Sequence, residues 1–307
     1  MKFGKTALWF FKKIMMSQDK SRMANFPIDD HYRKKIDTPY HNDNHELHKF
    51  DLYYADEEIR KRVCVIDIHG GSFIFGSRKN TTYYKDVFLK QGFDFLAIDY
   101  LHNNGSRGVE DQIKDCVDAL NYIGKHKVDL DLNQDIFVLT GDSAGGQLSL
   151  FVTLLQDDDK LAEKVKIKLN GSIEIKACLL NCPVYDFSKL AGKEMLNEGG
   201  QENMFGANFK YENYRKLYSP STHIKNLKTP LFFSTCRNDF LREQSLSLKK
   251  DLDFLNYEDY LFYDVFVLDK KIGHVHNVNE PDLPESQEVN HAMNEFIKKI
   301  YVKNHTA

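Results

Sequence analysis

The feature that most constrains this chain is Gly141-Asp142-Ser143-Ala144-Gly145-Gly146, set directly after the apolar run Ile136 to Thr140 and directly before the helical run Gln147 to Leu155. A serine between glycines on a strand-to-helix turn occupies a tight, strained backbone position. Side chains at Gly141 and Gly145 are expected to collide there with neighbouring backbone. The helix that follows aims its unpaired N–H groups at negative charge developing on a bound substrate. The arrangement is that of a nucleophilic serine.

A second signal, His69-Gly70-Gly71-Ser72-Phe73, ends the almost continuous apolar run Val63 to Ile68. Such a run reads as a strand covered on both faces. Glycines at its end let backbone N–H groups approach an oxyanion, and the N–H of Ala144 would join them. His69 is read as a structural residue that positions this loop, not as the base.

The surrounding pattern alternates. Phe50, Leu52 and Tyr54 suggest an outer strand. Phe93 to Tyr100, Ile136 to Thr140, Ile173 to Leu180, Leu231 to Thr235 and Tyr263 to Leu268 read as further strands. Helices are expected around Thr82 to Gln91 and over Val109 to His126, Ala144 to Leu155, Gln244 to Leu255 and Val289 to Val302. This order implies an α/β fold, a mostly parallel sheet with helices on both faces. Residues 185–228, rich in scattered aromatics and without a buried strand, exceed an ordinary connection and read as a helical cap insertion.

The two motifs together resemble the α/β-hydrolase superfamily, and within it the hormone-sensitive-lipase-like carboxylesterases, marked by an HGG oxyanion loop and a GDSAGG elbow. The likeness runs from about residue 50 to 303, with residues 1–49 and 185–228 corresponding to that family's cap. It implies Ser143 as nucleophile and Gly70, Gly71 and Ala144 as the oxyanion hole. It also implies Asp239 as the acid, in Asp239-Phe240-Leu241-Arg242-Glu243, and His276 as the base, in Gly273-His274-Val275-His276-Asn277-Val278. The order Ser, Asp, His is the one characteristic of this architecture. His274 is the competitor for His276, while Asp264 and Asp269 read as solvent or pairing residues. Ser72, Phe240, Glu243 and Val278 depart from the family pattern, as does Leu101-His102-Asn103-Asn104-Gly105, so the pocket is expected to differ more than the chemistry.

The expected reaction is hydrolysis of carboxylic esters of small or moderately apolar acyl groups through an acyl-enzyme. Amide hydrolysis, as by a formamidase, and a non-catalytic binding protein on the same fold are the alternatives. No cofactor is expected, since the chain has no P-loop and no dinucleotide-binding glycine motif. Forty-two Lys+Arg against 45 Asp+Glu, without a basic run, give no reason to expect nucleic acid. A small-molecule ester is the expected partner, and a homodimer is left open.

No metal is expected either. Cys178 and Cys182 supply at most half of a zinc site. Asp129 to Asn133 begins like a calcium loop but lacks its glycine and glutamate. His41, His45 and His48 form a polar cluster without an acid arranged beside them in a known zinc spacing. The five scattered cysteines suggest reduced thiols and a cytoplasmic protein. The opening MKFGKTALWFFKKIMM is too short in its apolar run to span a bilayer and reads poorly as a signal peptide. An amphipathic helix with Trp9, Phe10, Ile14 and Met15 pointing one way, packed on its own protein, is expected instead. Residues 17–50 read as connecting structure around at most one short helix.

Overall fold

The computed structural model describes residues 4–26, 28, 31–132, 134–191, 197–267 and 272–306. Among the described residues, eight strands form one sheet: β1 (Lys34–Pro39), β2 (Lys49–Tyr53), β3 (Val63–Ile68), β4 (Asp94–Ile98), β5 (Ile136–Asp142), β6 (Ile175–Asn181), β7 (Leu231–Cys236) and β8 (Tyr260–Val265). Their spatial order is β1-β2-β4-β3-β5-β6-β7-β8. β1 and β2 run antiparallel at one edge, and β4 through β8 are mutually parallel.

The helices are α1 (Lys5–Asn25), α2 (Asp86–Leu89), α3 (Val109–Lys125), α4 (Ser143–Asp157), α5 (Asp159–Val165), α6 (Phe187–Ala191), α7 (Glu198–Phe205), α8 (Glu212–Tyr218), α9 (Arg242–Phe254), α10 (His276–Asn279) and α11 (Pro284–Thr306). Among the described residues, no helix is long and apolar enough to cross a membrane.

The central strands are apolar on both sides because both faces are covered. Cys64, Ile66 and Ile68 of β3, with Phe137 and Leu139 of β5, enter a core shared with α3, α4 and α9. Val63 and Val65, with Ile136 and Val138, enter a second core closed by Val289, Met293 and Ile297 of α11. Successive side chains of a strand point to opposite faces, so a continuous apolar run is what a doubly covered strand requires. On α3, Val109, Ile113, Cys116, Leu120 and Ile123 are all buried at helical spacing, and Asp111 accepts the Gly108 N–H at 2.8 Å to fix its first turn.

Two expectations at the N-terminal end are corrected. Residues 17–50 hold more than a short helix, because α1 continues to Asn25 and β1 follows. β1 hid from a hydropathy reading because it is an edge strand, exposed at Ile36, Asp37 and Pro39 and irregular between Lys35 and Thr38. An edge strand tolerates lysines and a terminal proline that an inner strand does not. On α1, Leu8, Phe11 and Met15 line the cavity, with Leu8 buried and Phe11 still partly open to solvent, whereas Trp9, Phe10 and Ile14 are exposed and do not line it. Met15 is therefore turned toward the cavity, away from Trp9, Phe10 and Ile14.

Candidate active site

The C-terminal ends of β3, β5, β6 and β7 converge on one cavity of about 680 Å³. Ser143 stands at the junction of β5 and α4 with φ 52°, left-handed for a residue that is not glycine. Such a conformation costs of the order of 1–3 kcal/mol and persists only where its surroundings impose it. They do so by contact: a Cβ on Gly145 would fall 1.8 Å from the carbonyl oxygen of Ile68, and one on Gly141 2.5 Å from that of Gly145. The collisions expected at both glycines are thus present. Ser72 and Phe73 after β3, Cys182 after β6 and Val275 beside His274 are left-handed as well, whereas the loop after β7 that brings Phe240 and Leu241 to the cavity is not.

The loops that carry Asp239 and His274 meet through a backbone bridge between Asn238 and Gly273, reinforced by Asn238 Nδ2 donating to Ile272 O at 3.0 Å. Asp239 follows β7. Its Oδ2 accepts the Thr235 hydroxyl at 2.8 Å, and its Oδ1 accepts the Leu241 N–H at 2.8 Å and lies 2.6 Å from His274 Nδ1. Burial pushes the Asp239 pKa up, but the His274 hydrogen bond and charge, with the Leu241 and Thr235 donors, outweigh it and hold the carboxyl below its ordinary value. With Nδ1 turned to the carboxylate, the lone pair of the neutral imidazole sits on Nε2. His274, Ser143 and Ala144 all line the cavity.

His276, expected as the base, is elsewhere. It opens α10, is buried away from the cavity, and has Nδ1 3.0 Å from Ser286 Oγ. Burial lowers its pKa to about 4, so it is neutral and packed. The cause of the difference is Val275, which at φ 59° reverses the chain between the two histidines.

The oxyanion loop also differs from expectation at one position. The Gly70 N–H donates to Asp142 Oδ1 at 2.8 Å, which removes it from the donors available to a substrate. Gly71 and Ala144 remain on the cavity wall, and Ala144 lies in the first turn of α4, where N–H groups have no intrahelical acceptor. Gly71 has φ 123°, and a Cβ there would fall 2.0 Å from Phe75 O. Asp142, which lies inside the motif and also lines the cavity, is thus a site residue that spacing alone does not single out. His69 has the structural role expected of it: Nδ1 is 2.6 Å from Gly70 O, and its ring stacks on Tyr100 at 4.4 Å. Burial acts to lower its pKa, but Asp99 and the Gly70 carbonyl more than reverse this and raise it.

An apolar group of Phe73, Val184, Leu190, Met204, Phe205 and Phe209 lines part of the cavity. Leu8, Phe11 and Met15 of α1 close over it, and α1 packs on α7. Asp19, Arg22 and Asn80 form a polar group, joined by bonds of 3.0 and 3.1 Å to the Asp19 carboxylate. Asp264 lies within β8 and pairs with Arg242, as expected of a pairing residue, and Asp269 and Asn133 lie outside the described residues.

Residues 50–252 match the family model BD-FAE, which is two thirds of the chain. The chain belongs to the BD-FAE family. Membership makes it an esterase of the α/β-hydrolase type, the superfamily that the two motifs resembled. Among solved structures it is similar to esterase B of Lactobacillus rhamnosis carrying a C4-C4 tributyrin phosphonate inhibitor, at 24% identity over 99% of this chain and 98% of that one, with a TM-score of 0.86. The same esterase with a C6-C4 inhibitor aligns with the same identity and TM-score over 98% and 96% of the two chains. The hyperthermophilic esterase of the archaeon Pyrobaculum calidifontis aligns at 18% identity over 97% and 94%, with a TM-score of 0.66. These likenesses bear on the fold. No curated protein sequence matches the chain.

Proposed function

We infer that Ser143, His274 and Asp239 act together to hydrolyse carboxylic esters of small or moderately apolar acyl groups. The observation that carries the assignment is the 2.6 Å contact of His274 with Asp239 on the cavity that holds the left-handed Ser143.

His274 Nε2 takes the proton of Ser143 Oγ as that oxygen attacks the ester carbonyl carbon. Asp239 holds the tautomer and stabilises the imidazolium that forms. The N–H groups of Gly71 and Ala144 receive the negative charge of the tetrahedral oxygen. The carbonyl–alkoxy bond breaks, the alcohol leaves with the proton from Nε2, and an acyl-Ser143 ester remains. Water, deprotonated by the same Nε2, attacks that ester and releases the acid and the free serine.

The apolar lining from Phe73 to Phe209 suits an apolar acyl group, with residues 185–228 and α1 acting as the cap. Five free, buried cysteines agree with a reducing cytoplasmic setting. The ester reading is tested by turnover of p-nitrophenyl acetate, butyrate and octanoate, with S143A as the blank. Turnover that disappears in S143A is expected. Absence of turnover above the blank, with fluorophosphonate labelling of Ser143 retained, would instead indicate the amide-directed alternative.

A further inference from the structure

The histidines that the sequence reading set aside for want of an acid acquire one by folding. His41 and His48 lie on the turn between β1 and β2, and α3 brings Asp115 and Asp118 against them. We propose that His41, His48 and Asp115 form a structural binding site for a zinc-class divalent cation, separate from the catalytic cavity.

The donor atoms of His41, His48 and Asp115 all lie within 4.8 Å of one another. His48 is more than nine-tenths buried, and its Nε2 has no hydrogen-bond partner among the described residues. Its Nδ1 lies 2.6 Å from Asp43 Oδ2, which fixes the proton on Nδ1 and leaves the lone pair on Nε2. A metal-binding histidine is characteristically held in this way by a carboxylate on its other nitrogen.

Nε2 points at Asp115 Oδ1 from 3.6 Å, too far for a hydrogen bond. Two ligands of a tetrahedral zinc ion, at about 2.0–2.1 Å each, stand about 3.4 Å apart. The pair is therefore spaced as two ligands rather than as donor and acceptor. Asp115 Oδ2 accepts the Leu101 N–H at 3.0 Å, which orients the carboxylate. Asp118 Oδ2, 3.2 Å from His41 Nε2 and also paired with Lys114, steadies the second imidazole. With neutral imidazoles, three carboxylates against one lysine leave a local charge that suits a dication. His41 is one-third exposed, so the fourth position opens to water.

None of the three residues lines the catalytic cavity, so the ion would tie the β1–β2 turn to α3 without entering the reaction. A competing donor set, Cys182, Asp239 and His274, lies within the catalytic site, and occupancy there would block turnover.

The test uses the full chain, stripped with a chelator that is then removed. Stoichiometric Zn²⁺ is expected to raise Tm by about 5 °C if binding is two orders tighter than the working concentration. Co²⁺ in its place is expected to give visible d–d absorption. D115N and H41A should each lose both signals, and H41A, altering a partly exposed residue, should keep the metal-free Tm within a few degrees. The proposal is overturned by a Tm insensitive to Zn²⁺ with no Co²⁺ bands. That result would leave His48 as a hydrogen-bonding clamp alone. It is equally overturned if the signals persist in D115N and H41A but vanish in C182A.

Discussion

At the scale of single residues, His274 and His276 show how two identical side chains two positions apart acquire different chemistry. One is paired with Asp239 on the cavity, and the other is packed against Ser286 with its pKa lowered to about 4. H274A is therefore expected to lose on the order of 10⁶-fold in kcat while folding normally, and H276A to keep kcat within a few-fold. H276A is also expected to lower stability by about 2–4 kcal/mol, because a fully buried ring is replaced by a cavity while Ser286 Oγ keeps its bond to the residue 276 carbonyl. Steady-state kinetics and urea unfolding on both variants check this. The sequence offered both imidazoles in Gly273-His274-Val275-His276, and a left-handed valine, which no residue preference announces, decides between them. Asp67 yields a second prediction. It is buried in β3 near Asp142, and burial first, then the Asp142 charge, raises its pKa to about 7. Between the unfolded value near 4 and about 7 the folded chain holds the extra proton, so this residue's contribution to stability falls as pH rises through that window and stays low above it. D67N should thus match the wild type near pH 4 and gain stability relative to it at pH 8, by a few kcal/mol at most. Chemical denaturation at the two pH values is the measurement.

Among elements, legibility followed burial. The strands β3 to β7 were readable because each is apolar on both faces, and α3, α4, α9 and α11 because each buries a stripe against the sheet. The segment between β6 and β7 was recognisable only as an insertion. Its short helices α6, α7 and α8 are held by ring contacts from distant parts of the chain, and local periodicity does not encode such contacts. Phe205 stacks on Phe209 at 4.1 Å and meets Phe73 edge-on at 5.5 Å, and all three line the cavity. Truncating Phe205 to alanine removes a wall of the proposed acyl site. F205A is expected to raise the octanoate-to-butyrate ratio of kcat/KM several-fold, at a cost of about 3–5 kcal/mol in stability. A fall in that ratio would mean that the acyl chain lies elsewhere, for example along Leu8, Phe11 and Met15 of α1. The dual character of α1 was also unreadable from sequence. Its N-terminal half spreads Leu8, Trp9, Phe10, Phe11, Ile14 and Met15 around more than one face between its lysines, and only the fold shows that Leu8, Phe11 and Met15 are the residues used.

For the molecule as a whole, the antiparallel edge must be fastened to the parallel sheet that carries the site, and one buried arginine does this. The Arg78 side chain is fully buried; its Nε donates to Asp51 Oδ1 of β2 at 3.0 Å, and its guanidinium nitrogens pair with Asp37 of β1 and with Asp99, just beyond β4. Asp99 Oδ1 in turn lies 3.4 Å from His69 Nε2, so the same network reaches the oxyanion loop. Burial acts to raise the Asp99 pKa, but His69 and Arg78 overcome it and hold the carboxyl below its ordinary value. A lowered carboxyl pKa contributes stability that is complete above the unfolded value and is lost as pH falls through the folded one. Removing the cation takes from the buried Asp51 and Asp99 carboxylates their guanidinium partner, and breaking a buried pair in this way costs about 3–5 kcal/mol. R78A is therefore expected to lose that much in urea unfolding at pH 7. In the variant the Asp99 pKa rises, the carboxyl protonates more readily, and the deficit relative to the wild type shrinks as pH falls below about 4. R78K keeps the charge but cannot span three carboxylates with a planar fork, so it should fall between the two. Because the network ends at His69, R78A should also lower kcat for p-nitrophenyl butyrate in the fraction still folded. An unfolding deficit with unchanged kcat would show that the oxyanion loop is held by Asp142 and Tyr100 alone.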